Sequence, residues 1–256
     1  MDRMPVLFVG HGSPMNAIED NEFSRAWIEA GKVLPRPEAI LCVSAHWETI
    51  GSQVTAMDQP KTIYDFYGFP PELYAKAYPA PGSPQLAQRV VELVRPVEVQ
   101  PDLSWGLDHG TWSVLARLFP NADVPVVQLS LDRGKSPQAH YDLGGRLKPL
   151  RDEGVLIVAS GNIVHNLGMI VWEDIAFDWA VEFDAKVRQW ILDEDHAAII
   201  DYPKQGRAAA LAINSAEHFK PLLYALSARE PGEPVSFFAE KLWGGSLSMR
   251  SLQIGG

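Results

Sequence analysis

Five of the seven histidines sit where an imidazole is placed for chemistry. His11 follows the apolar run Val6-Leu7-Phe8-Val9, in Gly10-His11-Gly12-Ser13-Pro14-Met15. His46 follows Ala39 to Ser44, in Ser44-Ala45-His46-Trp47. His165 lies just past Val155 to Ala159, in Ser160-Gly161-Asn162-Ile163-Val164-His165-Asn166. Each run reads as a strand, and in an open α/β sheet ligands bind outside the carboxyl ends of the strands. Three strand ends therefore point three imidazoles at one edge. His218, in Ser215-Ala216-Glu217-His218-Phe219 ahead of Leu222 to Leu226, falls in a first helical turn if Ser215 is the N-cap. The expectation is one divalent-metal site built from His11, His46, His165 and His218. His109, in Asp108-His109-Gly110, precedes a further helix, with the flanking Asp108 as a carboxylate to orient it.

A lone histidine after a strand is more often a hydrogen-bonded structural residue than a ligand. Three independent cases shift the balance toward a shared site. His140 and His196 lie among polar residues and read as solvated helix-surface positions. Imidazole suits zinc, iron, copper and nickel alike, so ligand type leaves the metal open. No spacing matches His-Glu-x-x-His or a zinc finger. Gly10-His11-Gly12-Ser13 lacks the Gly-Lys-Ser/Thr of a phosphate loop, and no Gly-x-Ser-x-Gly elbow occurs.

The elements that must position these groups are short. Val6 to Val9, Ala39 to Ser44, Val124 to Leu129 and Val155 to Ala159 are apolar without alternation, as in strands covered on both faces. Ser83-Pro84 and Ser136-Pro137 are helix starts, each an N-cap followed by proline in the first turn. Behind them lie apolar stripes at Leu86, Val90, Leu93 and Val94, and at Leu143 and Leu147. Asp178 to Leu192 carries Trp179, Phe183, Val187, Trp190 and Ile191 on one side. Alternating strands and helices predict a three-layer α/β/α sandwich around a mostly parallel or mixed sheet. No repeat or linker divides the chain, so residues 1–256 read as one catalytic domain.

The composition is 46% hydrophobic and 21% charged, enough for a sizeable core. A net charge of −10 argues against nucleic acid as a partner, because backbone binding needs a basic face. The single Cys42 forms no internal disulfide and reads as a buried strand residue in a reducing compartment. The N-terminus fits no signal peptide, and no run approaches the roughly 18 apolar residues of a membrane helix. A cytoplasmic location without membrane association is expected; oligomeric state is left open.

The ordered segments Gly10-His11-Gly12-Ser13-Pro14-Met15, Ser44-Ala45-His46-Trp47, Tyr64-Asp65-Phe66-Tyr67-Gly68-Phe69-Pro70, Tyr78-Pro79-Ala80-Pro81-Gly82, Asp108-His109-Gly110, Ser160 to Asn166 and Glu217-His218-Phe219 resemble the bacterial 4,5-DOPA extradiol dioxygenase family. That family belongs to the class III extradiol dioxygenases. The resemblance runs from near residue 4 to Gly244-Gly245-Ser246-Leu247-Ser248-Met249. It implies the α/β/α fold, one divalent metal, and opening of a catechol such as DOPA by O2 to a semialdehyde. It implies Fe(II) for turnover, with zinc often described in this branch. By this resemblance His11, His46 and His218 match metal-ligand positions, and His109 a catalytic histidine beside them. His165 matches a ligand in this branch and an acid/base in distant relatives. Non-haem iron sites usually pair two histidines with one carboxylate. Here Glu217 adjoins His218, and the expectation favours His218.

Catechol and O2 both need open coordination positions, which three protein ligands leave and four crowd. That favours His165, with His109, as an acid/base group. Tyr64, Phe66, Tyr67 and Phe69 are candidates to wall an aromatic ring, although a dense aromatic loop also packs for its own sake. Trp105 and Trp112 are weaker candidates for that wall. A zinc hydrolase using metal-bound water and a non-catalytic metal-binding protein are the competing readings.

Overall fold

Strands that read as apolar on every residue need a helical layer on each side, and the chain supplies two. A computed structural model describes residues 3–256. The strands are β1 (Val6–Gly10), β2 (Ala39–Thr49), β3 (Ser52–Thr55), β4 (Val99–Asp102), β5 (Val126–Asp132), β6 (Val155–Gly161), β7 (Val235–Phe238), β8 (Leu242–Trp243), β9 (Leu247–Ser248) and β10 (Ser251–Ile254). Eight form one mixed sheet in the order β4-β3-β5-β2-β6-β1-β10-β7, and β8 pairs with β9. The centre, β5-β2-β6-β1, is parallel. Antiparallel β10 flanks β1, and β3 pairs antiparallel with β5.

The helices are α1 (Glu22–Val33), α2 (Pro71–Tyr74), α3 (Pro84–Leu93), α4 (His109–Leu118), α5 (Pro137–Arg146), α6 (Asp178–Leu192), α7 (His196–Ile200), α8 (Arg207–Ala212) and α9 (Lys220–Ser227). Side chains of β1 alternate between two cores, as period-2 geometry requires. Val6 and Phe8 pack with Leu86, Leu143, Phe183 and Leu222 of α3, α5, α6 and α9. Leu7 and Val9 pack with Trp27, Leu73 and Trp112 of α1, α2 and α4. This is the three-layer α/β/α architecture.

The serine caps form as read: Ser83 Oγ accepts from Leu86 N–H at 3.1 Å and Ser136 Oγ from Ala139 N–H at 3.2 Å. Several boundaries differ. The β5 strand starts at Val126 instead of Val124, because Pro125 has no N–H to give a ladder. β2 runs past Ser44 to Thr49, so His46 lies inside the strand and not after it. An irregularity between Val43 and Glu48 bends the ladder with β5 there; such bulges re-aim side chains near sites.

His140 and His196 are not solvated. His140 is fully buried, its Nδ1 2.9 Å from the Tyr224 hydroxyl, because the polar-looking face of α5 packs on α9. His196 is half-buried, with Nδ1 2.7 Å from the Tyr141 hydroxyl. Cys42 is fully buried, and burial raises its thiol pKa far above the ordinary value. No helix among the described residues is long and apolar enough to cross a membrane.

Candidate metal centre and active site

Because β2, β6 and β1 are parallel neighbours, their carboxyl ends open on one edge. His11 is the first residue past β1 and is almost wholly buried. Its Nδ1 lies 3.0 Å from Ser160 Oγ, near the end of β6. The Ser160 hydroxyl spends its one proton on the Gly110 carbonyl at 2.5 Å, so its oxygen accepts from His11 Nδ1–H. That leaves the lone pair on Nε2.

His218 is fixed in the same manner by a different partner. Its Nδ1 is 3.0 Å from Glu217 Oε1, and a carboxylate only accepts, so Nδ1 carries the proton. Ser215 does not cap a helix around His218. Its hydroxyl bonds Glu217 Oε1 at 2.8 Å, and α9 begins at Lys220, where Pro221 suits a first turn. His218 therefore sits in the turn before α9. Asn162 N–H holds its carbonyl at 2.8 Å. A Cβ on Gly161 would stand 2.2 Å from that carbonyl oxygen, so only glycine lets the turn lie this close to β6.

His46 completes a trio. Its Nδ1 faces Asp65 Oδ2 at 3.4 Å, and its Nε2 is 3.0 Å from His11 Nε2. Ring centroids of His11 and His46 lie 5.2 and 5.0 Å from that of His218. One ligand atom from each of the three falls within a 4.8 Å span. Burial first, then neighbouring imidazoles, lower the pKa of His11 and His218 far below the ordinary value; burial and His109 bring His46 to about 3. All three rings are thus neutral at pH 7. Two ring nitrogens 3.0 Å apart need either a shared proton or a cation between them, and a cation satisfies both rings at once. Imidazole nitrogens at about 2.0–2.1 Å from one ion are roughly 3 Å apart, and oxygen partners on the far ring nitrogens are the usual support of metal-binding histidines. The donor set fits a divalent transition metal.

His165 lies outside that trio. Its ring stacks flat on His218, centroids 3.4 Å apart and planes within 5°, and it groups with Glu217 and His218. Burial lowers its pKa to about 4, opposed by the Glu217 charge. His109 opens α4, its ring centroid 3.8 Å from that of His46 and 5.7 Å from that of His11. All five histidines singled out from the sequence therefore meet at this edge, three turned toward one another at steep ring angles, with His165 stacked on His218 and His109 beside His46.

The carboxylate that holds His109 is not Asp108. An N-cap side chain turns toward its own helix. Asp108 Oδ1 accepts from Thr111 N–H at 3.1 Å and from the Ser44 hydroxyl at 2.7 Å, and Oδ2 takes the Gln128 amide. Burial, with the nearby Asp65 charge, raises Asp108 to about 6. His109 is instead gripped by Asp65, from a loop 44 residues upstream: Oδ1 accepts the backbone N–H and Oδ2 the ring Nδ1–H, both at 2.9 Å. Burial pushes the Asp65 carboxyl up, but the His109 bonds and charge hold it below its ordinary range. In the sequence Asp65 is one letter of the aromatic segment Tyr64 to Pro70. Its single signal is being the acidic residue inside that segment.

The same loop brings its aromatics with it. Phe66 lies edge-on to His109 at 5.5 Å, Phe69 edge-on to Phe66 at 5.2 Å, and Tyr64 edge-on to Trp112 at 5.9 Å. Trp112 is fully buried beneath, its indole N–H on the Ile63 carbonyl at 2.8 Å. Tyr67 is 92% exposed, which leaves it a poor candidate for a wall that shields a substrate. Trp105 stacks on Trp47, with centroids 5.6 Å apart.

A family model described as the catalytic LigB subunit of aromatic ring-opening dioxygenase matches residues 6–242. The chain belongs to the LigB family. It is 48% identical to the 4,5-DOPA dioxygenase extradiol of Escherichia coli (strain K12), covering 99% of this chain and 95% of that one. The 4,5-DOPA dioxygenase extradiol of Beta vulgaris is 38% identical over 96% of this chain and 94% of its own. A crystal structure of an uncharacterized protein from Escherichia coli K12 superposes with a TM-score of 0.86 at 45% identity, covering 99% and 100% of the two chains. As a LigB-family member the chain is an extradiol ring-cleaving dioxygenase, an oxidoreductase that is metal-dependent and acts on an aromatic substrate with O2.

Proposed function

We propose that the substrate is a catechol of the DOPA type, opened beside its two hydroxyls to a semialdehyde at a metal held by His11, His46 and His218. The observation that carries this reading is the trio of neutral, inward-facing imidazoles. A divalent ion there supplies Lewis acidity toward the two ring oxygens, and Fe(II), unlike redox-inert Zn(II), also supplies the electron chemistry that O2 requires. Three imidazoles suit Zn(II) as well, and Fe(II) is the ion for turnover. His109, with Nδ1–H on Asp65, presents a basic Nε2 to take the second hydroxyl proton. His165, stacked on His218 outside the trio, returns a proton as the ring opens in this reading, which its position beside the trio supports. Phe66, with Tyr64 and Phe69 behind it, forms an apolar wall next to His109 that excludes water. The net change breaks one ring C–C bond and leaves both atoms of O2 in the product.

The reading is tested by mixing iron-loaded protein with DOPA and simpler catechols. A yellow ring-opened product with one O2 consumed per ring is expected, and none under nitrogen. Turnover of an ester or amide without O2 would instead favour the zinc hydrolase.

A further inference from the structure

We propose that Asp65 is a positioning residue for this site, a single carboxylate that sets the tautomer of His109 and braces His46. Three contacts converge on it. Oδ1 accepts the His109 backbone N–H at 2.9 Å, Oδ2 accepts His109 Nδ1–H at 2.9 Å, and the same Oδ2 faces His46 Nδ1 at 3.4 Å. Its side chain is only 17% exposed, so water competes little for these bonds. The two-point grip fixes both the start of α4 and the ring angle of His109, which a bond to the ring alone leaves free to rotate. An acceptor-only partner on Nδ1 obliges Nε2 to be the basic nitrogen, and a negative charge beside the ring stabilises the imidazolium formed when that nitrogen takes a proton. Toward His46 the same carboxylate oxygen stands 3.4 Å from Nδ1, on the side of the ring away from the Nε2 that meets His11. Asp65 also ties the aromatic wall to the proton carrier, since Tyr64 and Phe66 flank it in the chain and Phe66 packs on the ring it holds.

The kinetic arm of the test rests on the ring-opening reading; two other arms do not. Nitrogen NMR of zinc-loaded protein labelled at histidine is expected to show His109 protonated on Nδ1; protonation on Nε2 in the wild type overturns the proposal without any variant. In Asp65→Asn the amide offers one oxygen for two N–H groups. Its NH2 then faces Nδ1, and the His109 tautomer is expected to flip. In that variant kcat should fall about 10²–10⁴-fold with KM within about threefold. Zinc should stay bound, with affinity weakened about 10–100-fold in chelator competition. Asp65→Glu, which keeps the charge, is expected to recover at least a tenth of the wild-type kcat. An unchanged kcat, a raised KM alone, or zinc lost from both variants would each overturn the proposal, the last by making Asp65 a ligand. If the wild type opens no catechol, the functional reading fails, and the tautomer and chelator measurements still decide the role of Asp65.

Discussion

His46→Ala is expected to leave a folded protein that holds no metal and opens no ring. His46 shares the centre of the trio: its Nε2 faces His11 Nε2 at 3.0 Å, and its ring lies 5.0 Å from that of His218. With two imidazoles remaining, the chelate loses one of its three donors, and affinity should fall well beyond the roughly 10–100-fold that follows loss of an outer partner. The fold should survive, because His46 lies at the bulged end of β2 and its side chain is 19% exposed, so water can fill the gap. His165→Ala gives the contrast. Lying outside the trio, it is expected to keep stoichiometric metal while turnover drops. Elemental analysis of the two purified variants checks both expectations; metal retained by His46→Ala, or lost from His165→Ala, would exchange their roles.

His109→Ala is expected to retain the metal and lose activity by about 10²–10⁴-fold, the span of one general acid/base group. The ring centroid is 3.8 Å from that of His46, near enough to meet a substrate bound at the trio. Its Nδ1 is committed to Asp65, so only Nε2 is free to move a proton. Because the ring makes no bond to the trio, its removal leaves the ligands in place. Measured together, metal content and kcat separate this outcome from loss of a ligand, in which both fall.

These two expectations rest on residues that were legible in the sequence for a physical reason. Parallel strands buried on both faces announce themselves as unbroken apolar runs, and the residue at each carboxyl end then has a known place in the fold. That logic points to His11, His46 and His165, whereas His218 and His109 are read from helix starts and from the family resemblance. What was not legible depends on contacts between distant segments. Asp65 reaches His109 across 44 residues, and no local pattern says that its loop folds over the start of α4. Asp108 misled by proximity: adjacent in sequence to His109, it belongs to the cap of the helix. The start of α9 was misplaced because Ser215 is a good cap by type, yet Glu217 claims its hydroxyl and Pro221 marks the first turn. His140 was misjudged because the face of α5 that carries it looks polar and yet packs on α9. The bulge that keeps His46 within β2 depends on its pairing with β5, a non-local property.

The central claim is that one divalent ion sits among His11, His46 and His218, and anomalous diffraction from crystals of the zinc-loaded protein tests it most directly. A single peak about 2.0–2.1 Å from Nε2 of each of the three residues is the expected result. A peak between His165 and Glu217, or between Asp65 and His109, would contradict it.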